Sequence, residues 1–148
     1  MNSPSVWTCD SCSGDVTLDG MGLVVARHDS TLPNRPLSDW KIVHKGECDP
    51  TAQAGFMFNL DLKDMVGPEG HARLLSMLSA GPLQGGGPSN RIVDFDGFVD
   101  IFRRLHTPFY EEARRRFDDP DVQERFSAAN EVLPYLPDVL ETIVNDQN

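Results

Sequence analysis

The chain has 148 residues, 39% hydrophobic and 24% charged, with 12 Gly and 11 Pro, a balance that excludes both a low-complexity disordered chain and a coiled coil. Thirteen basic against 23 acidic residues give a formal charge of −10, divided as 4 against 7 over residues 1–50, 2 against 3 over 51–90 and 7 against 13 over 91–148. No third carries the basic excess that phosphate neutralisation needs, so nucleic-acid binding is disfavoured. The longest apolar runs, of about six residues, fall far short of the roughly 18 of a membrane span. The first residues lack the basic and apolar regions of a secretory signal, so a cytoplasmic protein is expected.

Three cysteines without an export signal argue against a disulfide framework. Cys9 and Cys12 form a C-x2-C within Trp7-Thr8-Cys9-Asp10-Ser11-Cys12-Ser13-Gly14, and His44-Lys45-Gly46-Glu47-Cys48 forms an H-x3-C. Two soft thiolates on one tight turn, joined by an imidazole and a third thiolate, complete a tetrahedral Cys3His set. Cys9, Cys12, His44 and Cys48 are therefore the expected ligands of one zinc ion, and iron remains an alternative on the same donors. Gly14 and Gly46 are expected to supply the positive φ that leaving each turn requires. His28 is the main rival for the fourth position, but has no cysteine at short spacing. Asp10 and Asp49 are weaker rivals, read as solvated turn residues.

Four protein ligands close the coordination shell and favour a structural metal. The catalytic alternative keeps three cysteines, opens the fourth position and uses Glu47 as general base. It matches poorly, because the deaminase pattern pairs H-x-E with a later C-x-x-C, whereas here the order is reversed and the spacing is H-x-x-E.

Between the two motifs, Val16-Thr17-Leu18 and Leu23-Val24-Val25-Ala26, separated by Gly20 and Gly22, read as a hairpin. Lys41-Ile42-Val43 reads as a third strand leading into His44. Trp7 and Trp40 are expected to cover this small sheet. The stretch from about Ser5 to Pro50 resembles zinc-ribbon and treble-clef zinc modules, with W-x-C-x-x-C as the first knuckle. It departs from the commonest ribbon by replacing a second C-x-x-C with H-x3-C. The wider pattern, including Gly70-His71-Ala72-Arg73-Leu74-Leu75 and Leu105 to Arg114, is similar to small actinobacterial and phage-type proteins, a resemblance that implies no mechanism.

Beyond Pro50, Phe56, Phe58, Leu60 and Leu62 alternate with polar and Met residues as in a half-buried strand. Gly67-Pro68-Glu69-Gly70 then breaks the chain before a helix over residues 71–78 with Leu74, Leu75 and Leu78 on one face. The Gly/Pro-rich stretch 79–90 reads as a flexible loop, and its three glycines lack the Lys-Ser/Thr of a phosphate loop. Phe98, Ile101, Phe102 and Leu105 mark a helix with Asp96 as N-cap. A second helix restarts at Thr107-Pro108, with Glu111 and Glu112 early and Arg114, Arg115 and Arg116 late, in the order the helix dipole favours. Asp119-Pro120 begins a third, with Val122, Phe126, Ala129 and Leu133 as its stripe, and Pro134 and Pro137 bracket a last helix carrying Val139, Leu140, Ile143 and Val144.

His106, Tyr110, Glu111 and Glu112 form a second polar constellation, but the break at Thr107-Pro108 assigns them to surface or helix-contact roles. His71 reads as an isolated structural histidine. No nucleophile elbow, catalytic triad or dinucleotide fingerprint is present.

The expected fold is α+β: a zinc-stabilised antiparallel β module over residues 1–50, then a mostly helical lobe over 51–148 with four to five short helices, packed as one unit. The metal is expected to lock the first module, which offers few large apolar side chains, with on the order of 10 kcal/mol of folding free energy. The favoured function is a non-enzymatic interaction or regulatory protein whose acidic lobe meets a protein partner. A nucleic-acid regulator acting through Arg27, Arg35, Lys41 and Lys45 and a small zinc enzyme are the alternatives. The apolar faces of short helices also admit a homodimer.

Overall fold

The computed structural model describes residues 4–28, 31, 36–50, 58–83, 92, 94–127 and 133–146. Phe56, Arg35, Ala129 and most of the stretch 79–90, each given a role above, lie outside the described residues. Among the described residues five strands precede five α-helices: β1 (Val6–Thr8), β2 (Asp15–Thr17), β3 (Gly22–His28), β4 (Leu37–His44) and β5 (Phe58–Asp61), then α1 (Gly67–Leu78), α2 (Phe95–His106), α3 (Tyr110–Arg114), α4 (Pro120–Ser127) and α5 (Pro137–Asn145). The mixed α+β class, with strands first and helices last, is the expected one.

The pairing differs from the expected hairpin. β2 pairs antiparallel with β1, Trp7 opposite Val16, whereas β3 is the centre of a separate sheet ordered β4-β3-β5. The turn from Cys9 to Gly14 explains this, because Cys9 N donates to Gly14 O (2.8 Å) and closes β1 onto β2. At Gly20 (φ +96°), beside an Asp19 carboxylate that accepts from Met21 N (3.0 Å), the chain leaves that ribbon for the second sheet.

Within the second sheet, Gly22 faces His44 and Val25 faces Lys41, but Arg27 faces Ser38, so β4 carries one extra residue. Asp39 (φ +55°) is at this bulge, and the phase of β4 changes there. Leu37 is buried on one side of the bulge and Trp40 and Ile42 on the other, an odd-to-even switch that a regular strand cannot make. β3 is buried along its first five residues, as a central strand covered on both faces should be.

Trp7, Leu23, Val24, Ile42, Leu62, Met65, Leu74, Phe98, Ile101 and Leu105 share one core, so the first fifty residues are not apolar-poor in the fold. They borrow the inner faces of α1 and α2. Trp40 meets Phe58 and Phe98 edge to face at 5.5 and 5.8 Å, and both tryptophans are buried as expected. A second core gathers Tyr110, Ala113, Val122, Leu140 and Ile143 from α3, α4 and α5.

Helix boundaries shift for local reasons. α1 starts at Gly67, four residues before the expected His71, because Pro68 lies within the first helical positions, where it costs no hydrogen bond. Only Leu74 of its expected face is buried, while Leu75 and Leu78 are exposed. Asp94, not Asp96, caps α2, accepting from Gly97 N at 3.0 Å. The helix restarted after Thr107-Pro108 is short, entered through Phe109 in the left-handed region (φ +69°) and ended at Arg114.

Candidate metal centre

The two sequence motifs occupy neighbouring strand ends. Cys9 follows β1 directly and Cys12 lies in the turn to β2, while His44 is the last residue of β4 and Cys48 lies in the turn beyond it. Asp10 N donates to Ile42 O (2.8 Å) and the Asp10 carboxylate accepts from Ile42 N (2.8 Å), which fastens the first knuckle to β4 two residues before His44. The four donor atoms of Cys9, Cys12, His44 and Cys48 consequently lie within 4.8 Å of one another.

The first knuckle is shaped around its sulfurs. Ser11 N points to Cys9 Sγ and Gly14 N to Cys12 Sγ, each at 3.4 Å, so backbone N–H dipoles face the atoms that must carry negative charge. The positive φ expected at Gly14 falls instead on Ser13 (φ +67°), whose N–H donates to Cys9 O at 2.9 Å. Gly14 serves by smallness: a Cβ there would stand 3.3 Å from Cys12 Sγ and 3.6 Å from His44 Cε1. Gly46 does take positive φ (+91°), in the turn closed by Asp49 N to Gly46 O at 3.0 Å.

His44 is oriented by its backbone neighbour. Its Nε2 lies 2.7 Å from the Asp15 carbonyl, which can only accept, so Nε2 carries the proton and Nδ1 presents its lone pair 3.5 Å from Cys12 Sγ. Such an outer hydrogen bond fixes the tautomer and ring orientation of a metal-binding histidine.

The ionisation of the set is uneven. Burial alone would raise the Cys9 thiol, but N–H groups of Cys12, Ser11 and His44 outweigh it and bring the group from 9.0 to about 6. Burial and the neighbouring Cys12 and Cys9 sulfurs push Cys48 up to about 11. The Asp15 carbonyl, stabilising a protonated ring, raises His44 above its ordinary value. One thiolate is thus preformed, and a cation placed between the donors would relieve the crowding that holds the proton on Cys48.

The rivals fall elsewhere. His28 ends β3 opposite Leu37, six residues from Gly22, which faces His44; at the strand rise this is roughly 20 Å away. Glu47 is exposed in the second turn, and Asp49 is outside the four-donor group. Asp10, expected as a solvated turn residue, is held by Arg104: Arg104 Nη1 donates to Asp10 Oδ2 at 2.6 Å.

This contact opens a network that sequence reasoning missed. Arg104 of α2 and Glu111 of α3, each only 1% exposed, form a two-point pair, Nε to Oε2 at 2.7 Å and Nη2 to Oε1 at 2.9 Å. Arg104 Nη2 also donates to Thr8 O (3.1 Å), Thr8 N donates to Glu111 Oε1 (3.1 Å), and Trp7 Nε1 donates to Arg104 O (2.8 Å). Burial works against the Arg104 charge, but Glu111 and Asp10 outweigh it and raise its affinity for the proton. The network binds the strand that delivers Cys9 to the helices behind it.

The second polar constellation separates into different contacts. His106 stacks near His71 (5.8 Å) and Phe102 (5.1 Å), and burial lowers its proton affinity. The Tyr110 hydroxyl donates to Asp100, Glu111 pairs with Arg104, and Glu112 is exposed. Of the cations considered for nucleic acid, Arg27 pairs with Asp39 (3.7 Å) and Lys45 with Asp61 (2.9 Å). Among the described residues no helix is long and apolar enough to cross a membrane.

Comparison of the chain with protein-family models, curated proteins and solved structures gives no match. The donor set and its geometry therefore carry the functional reading.

Proposed function

We propose that Cys9, Cys12, His44 and Cys48 hold one structural zinc ion in a ribbon-like module, and that the protein is a non-enzymatic interaction module whose acidic helical lobe meets a protein partner. The observation that carries the metal assignment is the convergence of three sulfurs and one oriented imidazole nitrogen within 4.8 Å. A tetrahedral ion with Zn–S about 2.3 Å and Zn–N about 2.0 Å needs S···N near 3.5 Å, and Cys12 Sγ to His44 Nδ1 is 3.5 Å. Three thiolates favour zinc over magnesium or calcium, and four protein donors leave no position for water, so the ion's role is structural. Reduced thiols committed to a metal suit a reducing, cytoplasmic compartment.

Elemental analysis of the purified protein tests the assignment. About one zinc per chain is expected, with stoichiometric metal lost and the melting temperature lowered in Cys12→Ser. Unchanged zinc and melting in that variant would refute the ligand set, and one iron per chain would replace zinc by iron on the same donors.

A further inference from the structure

The early part of α1 meets the end of α2 through two histidines. His71 and His106 stand edge to face, with ring centroids 5.8 Å apart and planes at 79°, and each also contacts Phe102, at 5.6 and 5.1 Å. Few other side chains hold α1. Of its twelve residues Gly70 and Leu74 are the buried ones, while Leu75 and Leu78 are exposed. Gly70 is required because a Cβ there would collide with the main chain of Met65, and the Met65 carbonyl faces the His106 ring. His106 is thus enclosed by Phe102 of its own helix, by His71 of α1 and by the main chain that leads into α1.

This enclosure suits one protonation state. His106 Nε2 is buried and has no hydrogen-bond partner. A neutral imidazole leaves one nitrogen as a bare lone pair, whereas an imidazolium donates from both nitrogens, so a proton on Nε2 would be a buried, charged donor with nothing to receive it. Burial disfavours the charged ring, the Met65 carbonyl favours it, and a protonated His71 opposes it, with the balance on the side of lowered proton affinity. The surrounding elements supply no counter-ion. Arg104 is committed to Glu111 and Asp10, Arg103 lies over the Tyr135 ring, and Glu69 and Arg73 are exposed on α1. Asp64, the carboxylate beside Met65, acts on neither ring, and His71 is the titratable group whose field reaches His106.

We propose that the His71–His106 contact is an acid-sensitive latch, which holds α1 against α2 while both rings are neutral and releases the start of α1 when they take up protons. Two imidazolium rings at this separation repel each other, and the His106 proton lacks an acceptor. The contribution of His106 is complete above its ordinary value of 6.5 and is lost as pH falls below it, because the unfolded chain binds the proton more readily than the folded one. Release uncovers Phe102 and Leu74 beside the already exposed Leu75 and Leu78. The latch lies outside the four-donor group and is independent of the metal assignment.

Amide hydrogen exchange of the full metal-loaded chain, corrected for the intrinsic pH dependence of exchange, tests the latch. Between about pH 7.5 and about pH 5.5, protection over α1 is expected to fall at least about threefold relative to that over β3. His106→Phe, which keeps an aromatic ring but takes no proton, should abolish this relative fall, and His71→Phe should reduce it. Metal content measured on every sample separates the effect from acid loss at the four donors, which would act on the wild-type chain and on His106→Phe alike. An equal fall in those two proteins, or no fall in the wild-type chain, overturns the proposal. So does a ring proton resonance of His106 in the wild-type chain that titrates at or above 6.5, a result that holds whether or not the variants fold.

Discussion

Arg104 shows how much of the candidate centre depends on a residue that binds no metal. Its guanidinium reaches Glu111, Asp10 and the Thr8 carbonyl, so a buried cation on α2 holds both the residue before Cys9 and the one after it. Removing one partner of such a pair leaves an uncompensated charge in the interior, which costs about 3–5 kcal/mol. Glu111→Ala should accordingly lower the unfolding free energy by that order in urea denaturation, whereas Glu112→Ala, on the exposed side of α3, should change it by less than about 0.5 kcal/mol. The four donor residues were legible from spacing alone, since C-x2-C and H-x3-C are local patterns. The network was not. Arg104 lies 94 residues from Asp10 and seven from Glu111, and nothing local distinguishes a buried arginine from one at a helix surface. Asp10 read as a solvated turn residue for the same reason.

At the scale of elements, the two knuckles differ in readiness. The first is shaped by β1, β2 and the N–H groups aimed at Cys9 and Cys12; the second relies on the end of β4 and a turn through Gly46. Cys9 is largely ionised at pH 7, with its thiol brought down to about 6, whereas Cys48 is pushed up to about 11 and keeps its proton, and His44 titrates above its ordinary value. A cation must displace the protons that remain, so metal affinity should rise with pH and loading should release protons. In weakly buffered solution at pH 7, zinc addition is predicted to release at least one proton per chain, the Cys48 proton. Release should grow as pH falls toward 6, where His44 and Cys9 are increasingly protonated. Release that does not change between pH 6 and pH 8 would contradict this order of ionisation.

Sequence reading of the elements succeeded where a pattern was long and failed where pairing was a tertiary choice. The apolar periodicity of α2 and α5 located both helices. β1, three residues long, is too short to show a period. The hairpin misassignment came from joining sequence neighbours across Gly20, whereas the closed turn between Cys9 and Gly14 had already given β2 a partner. The bulge at Asp39 explains why only Lys41–Val43 of β4 read as a strand: Leu37 and Trp40 are out of phase until one residue is looped out.

For the molecule as a whole, the sheet-side core and the core of α3, α4 and α5 meet along a seam crossed by Arg104 with Glu111 and by the Tyr110 hydroxyl on Asp100. The Cys9–Gly14 knuckle is fastened to one side of that seam, and a groove lined by Phe117, Phe126 and Tyr135 belongs to the other. This arrangement was partly legible, because strands precede helices and the acidic excess accumulates after residue 90. The sharing of the first core was not, because the apolar face of α2 gives no indication of which strands it will cover. The shared core also changes what an ion at the four donors would be needed for. Val24, Ile42, Leu62 and Phe98 hold β3, β4 and α2 together without it, so the contribution of a bound ion would concentrate on the β1–β2 ribbon and the Gly46 turn.

The central claim is the identity and number of donors around one ion. X-ray absorption at the zinc edge of the purified protein addresses it most directly. Three sulfurs at about 2.3 Å and one nitrogen at about 2.0 Å are predicted, with the nitrogen shell losing its imidazole signature in His44→Ala. A first shell dominated by nitrogen or oxygen, or an imidazole signature that survives His44→Ala, would contradict it.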